Sequence, residues 1–420
     1  MIDDWLSILI LTIFAMVLIA LISAKLYSPF WFHQPVYHIY EIYPRIRWSR
    51  APYIKNTRPP KRGIFCNPNN IITHTFADII DDTRIKLFID LLQGHYLDND
   101  TNLYHHTETS LRKVLTNDKA VYISGYYETE WKEPSYRKKI NASIVYGMIA
   151  SKPVELYFLH FPAQNLEVHF IDFVCVHGKY SGQSIVSRNL IQTHVYNHRS
   201  ADTSFSGVYL FKNEMNMCKG IVPLLQTTAY TFMLRKTELN RLPANYSIKC
   251  LNNKTNVDVW RVLYAQITQQ FEICVMPSFP VTLEWLSNER YMVYISVYKE
   301  EKQEKIHGLY VFEDTQVSYE TDMANPNMLR LAASMVFGQD NPPINGSLYF
   351  FRGFAHSLKA LVQDRKKFGI LEIPNISDNG YILERWREKY ELRNETKIGY
   401  YLYNMVYPNM PIRPEQFFCL

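Results

Sequence analysis

Glycine is scarce in this chain, 15 in 420 residues, and cysteine is scarcer, with six. The six, at positions 66, 175, 218, 250, 274 and 419, show no close pair, no CxxC and no metal-ligand spacing. That pattern excludes a disulfide scaffold or a zinc module, predicts no metal, and fits a reduced compartment. No internal repeat or low-complexity tract occurs, and the net charge of +5 comes without a basic stripe in the body of the chain. Nucleic-acid binding therefore lacks its electrostatic footprint. What the chain holds in quantity is apolar and aromatic: 47% hydrophobic residues, with 31 Tyr and 23 Phe. Such a chain can bury a core, and its length suggests two or three domains of ~150 residues each.

Trp5 to Ala24 carries no charge and is rich in Ile and Leu. At ~1.5 Å per residue it matches the roughly 30 Å hydrocarbon core of a bilayer, which predicts a transmembrane anchor over residues 1–24. A cleaved signal peptide is the competing reading, but the acidic start Met1-Ile-Asp-Asp and the long apolar run oppose it. Behind the run, Lys25, Arg45, Arg47, Arg50, Lys55, Arg58, Lys61 and Arg62 meet few acids. Positive residues flank the cytosolic side of a span, so the expectation is a single-pass membrane protein with its body in the cytosol. Asn-x-Ser/Thr sequons at Asn99, Asn141, Asn245, Asn253, Asn345, Asn375 and Asn394 carry the opposing, luminal reading. From Pro52 to Pro68 the basic, proline-bearing chain reads as an extended linker within a 25–68 segment.

The stretch Phe170 to Gln192, FIDFVCVHGKYSGQSIVSRNLIQ, organises the rest. Its apolar opening reads as a buried strand, Gly178 to Gly182 as a loop, and Ile185, Val186, Leu190 and Ile191 as a helix. Strand, Gly/Ser loop and helix start form an anion site, since unpaired amides and the helix dipole face the same point. The bland alternative is an ordinary strand-to-helix turn. Upstream, Phe76 to Gln93 has helical periodicity, and Ile140 to Phe161 reads as two paired strands. Downstream come a strand at Phe205–Leu210, a helix near Trp260–Phe271, strands near Tyr291–Tyr298 and His307–Phe312, and a helix around His356–Lys366. Phe417 to Leu420 is apolar where chain ends usually fray, which predicts a tucked-in terminus.

Several of these stretches resemble one family, the eukaryotic protein N-myristoyltransferases. FWFHQPV at Phe30 to Val36 is similar to the family's Phe-Trp-x-x-Gln-Pro-Val, and LLQGHYLDNDTNLY to its acidic loop over the peptide. DFVCVH is similar to Asn-Phe-Leu-Cys-Val-His, and Tyr400 to Asn404 followed by Pro408-Asn-Met410 to its closing segment. The resemblance implies an α/β fold of two acetyltransferase-like (GNAT) lobes about a pseudo-twofold, here at 69–235 and 236–420, behind the anchor. It implies transfer of myristoyl from coenzyme A to an N-terminal glycine, with myristoyl-CoA as co-substrate, glycine-ended peptides or proteins as partners, and a monomer. Phe30 and Trp31 would lie against the acyl-CoA, and Lys179, Ser181, Gly182, Gln183 and Ser184 would hold its pyrophosphate. Tyr96, Leu97, Asp100, Tyr104, His106 and Tyr209 would line the peptide site.

Acyl transfer from a thioester to an amine needs oxyanion donors and a base that keeps the amine neutral. The resemblance gives the donors as the amides of Phe173 and Val174, which a bulge at the strand end would free. It gives the base as the main-chain carboxylate of Leu420. Cys175 and His177 are tempting as a nucleophile pair but lie on one strand, so Cys175 reads as core. The departures concern activity. Of the family's basic CoA loop only Lys179 persists, Asp172 replaces an Asn, and Leu210-Phe211-Lys212 replaces Thr-Ala-Gly. They favour a rival reading, a catalytically weakened homologue that binds lipid or partners as a structural membrane protein. A third reading, a small-acyl acetyltransferase, would need neither the aromatic channel nor the tail.

Overall fold

The computed structural model describes the chain except for residues 1, 28, 42, 47–50, 59, 80–83, 97–101, 105–106, 131–138, 181–183, 215–217, 219, 235–240, 253–255, 288–289, 302, 320–325, 339–345 and 366. Runs with β-branched and aromatic residues form strands, and runs with helical apolar spacing cover them. The elements that position the site are, in order, α1 (Ile2–Tyr27), α2 (Arg84–His95), β1 (Tyr122–Glu130), β2 (Lys139–Phe158), β3 (Leu166–Val176), α3 (Ser184–Ala201), β4 (Tyr209–Glu214) and β5 (Leu225–Met233). The second half supplies β6 (Ile273–Met276), β7 (Tyr291–Glu300), β8 (Gln303–Tyr319), β9 (Asn327–Val336), α4 (Gly346–Asp364), β10 (Phe368–Pro374), β11 (Leu392–Tyr403) and β12 (Phe417–Cys419).

One order of elements occurs twice. The antiparallel run β1–β2–β3 passes through α3 to β4, which lies parallel to β3. The antiparallel run β7–β8–β9 passes through α4 to β10, which lies parallel to β9. Both crossovers cover the sheet with apolar side chains. Val186 and Leu190 of α3 pack on Ile149 and Ile171, and Phe350 and Phe354 of α4 pack on Phe312 and Leu331. The repeat is the arrangement that two similar lobes require. The lobes do not own separate sheets, however: β11 and β5 join β4 to β10, so a single 15-stranded mixed sheet runs through both halves.

Two expectations need correction. Ile140 to Phe161 is one strand rather than a hairpin, and β2 runs 20 residues straight through Lys152-Pro153. One edge of β2 pairs with β1 up to Ser151 and with β6 from Glu155 onward. Pro153 sits in the gap between those partners, where its missing N–H costs no ladder bond. The transmembrane helix expected over residues 1–24 is likewise not borne out: among the described residues no helix is long and apolar enough to cross a membrane. A 26-residue helix, α1, stands at that position, with Trp5, Ile8, Leu9, Phe14 and Ile19 exposed.

The tail behaves as its composition suggests. Phe417 and Phe418 are fully buried, and β12 adds a parallel strand to β6. The Leu420 amide then donates to the Val275 carbonyl at 3.0 Å.

Candidate active site

β3 holds the local geometry on which the site depends. Its register with β2 pairs Cys175 with Met148 and Asp172 with Ala150, so β3 spends three steps where β2 spends two. Phe173 and Val174 fall in that bulge, between the paired positions Asp172 and Cys175. Phe173 takes φ 52°, a left-handed conformation uncommon for a bulky residue. A bulge of this kind withdraws backbone groups from the ladder and re-aims them, as the sequence reading expects at the strand end. Phe173 buries its ring, 5.6 Å from that of Tyr96, while Val174 is turned outward.

The bulge opens on a cavity of about 1340 Å³ lined by Phe30, Trp31, Tyr96, Phe173, Val174 and Leu420 among others. Residues spread along the whole chain thus meet at one place. Trp31 stacks on Phe211 at 5.3 Å between centroids, and Phe211 stacks on Tyr401 at 5.3 Å. Trp31 and Phe211 line the cavity while Tyr401 lies buried beyond Phe211, and such an aromatic wall suits an apolar chain better than a polar ligand. Burial raises the Tyr96 hydroxyl well above its ordinary range, so it stays protonated.

The same cavity is lined by a group of charges that sequence reasoning missed. Arg290 Nη2 donates to Glu313 Oε1 at 2.9 Å, Tyr291 donates its hydroxyl to the same oxygen at 3.2 Å, and Arg330 Nη1 reaches Glu313 Oε2 at 3.3 Å. Arg330 Nε also donates to Glu372. Burial alone would raise the Glu313 carboxyl, but Arg290 and Arg330 outweigh it and hold it at about 2. Lys152, 6% exposed, sits 3.5 Å from Asp172, and burial lowers its pKa. All of these side chains line the cavity. The one available signal was Lys152-Pro153, a basic residue inside a largely apolar strand run.

The remaining expected residues are placed differently. Lys179 is exposed, with its ammonium 5.0 Å from the Tyr146 ring and 5.2 Å from that of Tyr180. The Gly178 amide donates to His95 Nδ1 at 3.3 Å and the Lys179 amide to His177 Nδ1 at 3.0 Å. Ser184 opens α3, whose Ser187 and Arg188 reach the cavity; Arg188 is a basic residue the loop reading overlooked. Ser181, Gly182, Gln183, Leu97, Asp100 and His106 lie outside the described residues. Tyr104 ends a short strand whose register partner is Val317 of β8. Tyr209 does not line the cavity: it is fully buried, with its hydroxyl 2.8 Å from His198 Nδ1.

Two thiols are tempting nucleophiles. Cys175 is buried with its sulfur 3.7 Å from the Leu91 carbonyl, a core role. Cys419 lines the cavity, but burial pushes its thiol up to about 12, which keeps it neutral. What the site offers is therefore a cavity with aromatic and charged linings, a bulged strand, and a chain terminus. That set can pass an acyl group directly between two bound partners.

No family model matches the chain, and no curated protein matches it in sequence. Solved structures do. Saccharomyces cerevisiae N-myristoyltransferase with bound myristoyl-CoA is 13% identical with a TM-score of 0.65, over 92% of this chain and 93% of that one. A second structure of the yeast enzyme with myristoyl-CoA is 14% identical with a TM-score of 0.64, over 92% and 89%. A third, with myristoyl-CoA and inhibitors, is 13% identical with a TM-score of 0.64, over 93% of each chain. Identity this low speaks for the fold alone, and the fold is that of the N-myristoyltransferases, far diverged in sequence.

Proposed function

We propose that this protein transfers a long acyl group, myristoyl, from coenzyme A to the N-terminal glycine amine of peptides or proteins. The observation that carries the reading is the meeting of Phe30, Trp31, Tyr96, Phe173, Val174 and Leu420 around one cavity beside a bulged strand. In this reading Trp31 and Phe211, which line the cavity, receive the acyl chain. The start of α3 with Arg188 receives phosphate, and the amides of Phe173 and Val174 take the oxyanion charge. The main-chain carboxylate of Leu420 removes the amine proton. The test is incubation with labelled myristoyl-CoA and a panel of N-terminal-glycine peptides. Amide-linked label on glycine-ended peptides is expected. No transfer, or equal use of acetyl-CoA, overturns it.

A second reading, a catalytically weakened homologue that binds lipid or a partner, draws on specific features. Asp172 places a carboxylate at the Phe173 amide, and Lys212 with its partner Glu214 at 2.5 Å lines the cavity. Acyl-CoA binding without transfer would favour it.

Membrane attachment, with the body on the cytosolic side, is proposed on narrower ground. The support is the exposed apolar side chains of α1, which water does not favour. Attachment is tested by liposome flotation with and without residues 2–27, and the side of the membrane by glycosidase treatment of protein from cells. Loss of flotation on truncation is expected, and a mobility shift would place the body in the lumen.

A further inference from the structure

The amide expected to hold the oxyanion is already occupied. Phe173 N–H donates to Asp172 Oδ1 at 3.0 Å, a bond from the bulge to the side chain just before it. The other oxygen, Oδ2, lies 3.5 Å from Lys152 Nζ. One carboxylate therefore faces two cations or dipoles in the cavity, the Phe173 amide and the Lys152 ammonium. A carboxylate seated on that amide opposes an oxyanion twice over, by filling the donor and by placing like charge beside it.

The surroundings of Lys152 explain how the contact can be released. Its ammonium is 5.3 Å from the Trp285 ring and 5.7 Å from that of Phe170, on a residue that is 6% exposed. Beyond Asp172, the charged groups acting on it are Arg290 and Glu313, and Glu313 is taken up by Arg290 and Arg330. Asp172 is thus the anion that Lys152 has nearest, at a separation that a side-chain rotation can shorten. The carboxylate can be drawn fully onto Lys152, leaving the amide to the substrate.

We propose that Lys152 is a positioning residue that draws Asp172 off the Phe173 amide, so that the Asp172–Lys152 pair sets whether the oxyanion site is open. The inference deepens the acyl-transfer reading and rests on it. Asp172→Asn removes the charge and weakens the clamp, so kcat should rise by about tenfold to a hundredfold, the worth of a charged hydrogen bond. KM for myristoyl-CoA should be unchanged. Lys152→Met strengthens the clamp and should lower kcat by a similar factor, Lys152→Arg should restore it, and the double variant Asp172→Asn/Lys152→Met should follow Asp172→Asn. Thermal melts of all four variants separate these effects from misfolding. A fall in kcat for Asp172→Asn, or a double variant as slow as Lys152→Met, overturns the inference.

A readout without turnover keeps the two readings apart. In protein labelled with 15N-phenylalanine, the Phe173 amide resonance should move upfield on Asp172→Asn. It should also respond to a non-hydrolysable myristoyl-CoA analogue in native protein but not in Lys152→Met. An unchanged resonance overturns the clamp even if transfer occurs. Failure to bind the analogue removes the acyl-CoA reading, while the Asp172→Asn shift still decides the clamp.

Discussion

Tyr403 donates its hydroxyl to Gln34 Oε1 at 2.9 Å, and both side chains are buried. The bond joins the FWFHQPV segment to the closing strand β11, and the Asn404 amide adds a second link to the Pro35 carbonyl at 2.8 Å. These contacts hold Trp31 against Phe211 and so shape the aromatic wall of the cavity.

Tyr403→Phe should leave Gln34 with a buried, unsatisfied carbonyl oxygen. An unmade partner of this kind costs about 1–3 kcal/mol. Denaturant titration should show the loss at unchanged m-value, and a variant as stable as native protein would mean that the segment is held by packing alone.

Trp31→Ala should weaken binding of myristoyl-CoA by roughly tenfold or more while leaving acetyl-CoA affinity unaltered. The indole stacks on Phe211 at an interplanar angle of 7°, and stacked pairs are worth about 0.5–1.5 kcal/mol beyond the area they bury. Calorimetry with both ligands checks it. Equal losses for the two would remove Trp31 from the acyl-chain site.

Acid should destabilise the fold through three buried histidines. His194 lies with its rings' nitrogens 2.8 Å from Ser124 Oγ and 2.8 Å from Ser151 Oγ, and His169 Nδ1 lies 3.2 Å from Ser151 Oγ. Burial lowers His169 and His194 to about 3 and His198 further still. Folded pKa values below the unfolded ~6.5 mean that the unfolded chain binds more protons. Stability is therefore full above about pH 6.5 and falls as pH drops toward 3. Buried Asp378, raised to about 6, acts in the opposite sense between its unfolded value and pH 6, but it is one group against three. Denaturation midpoints at pH 7.5 and pH 5 should differ by more in native protein than in His194→Gln; equal differences would exclude His194 as a source.

Deleting Leu420, or adding a few residues after it, should lower turnover by ~10²-fold or more if its carboxylate is the base. Leu420→Gln should be nearly silent by comparison, since the acting atoms are main-chain. The Leu420 amide bond to Val275 fixes the direction of the terminus, and reacting groups tolerate about an ångström of misplacement. Equal rates for extended and native chains would rule the carboxylate out.

Residue order by itself determined the α/β class, the burial of Phe417 and Phe418, and the strand and helix read within Phe170 to Gln192. Each follows from local apolar spacing and turn residues, which act over a few positions. The resemblance, not the spacing, pointed to Phe173 and Val174, and the register of β3 against β2 places both in a bulge. The hairpin expected between Ile140 and Phe161 failed because Pro153 is tolerated only where the edge of β2 passes between two partners, a fact of the sheet and not of the segment. Tyr209 turned into the histidine cluster because β4 alternates faces, and its register against β3 and β11 was set by partners far away. Only the tertiary structure brought Lys152 to Asp172 and gathered Arg290, Glu313 and Arg330. Charges of that kind carry no periodic signal, and their worth depends on burial and on distances of a few ångströms.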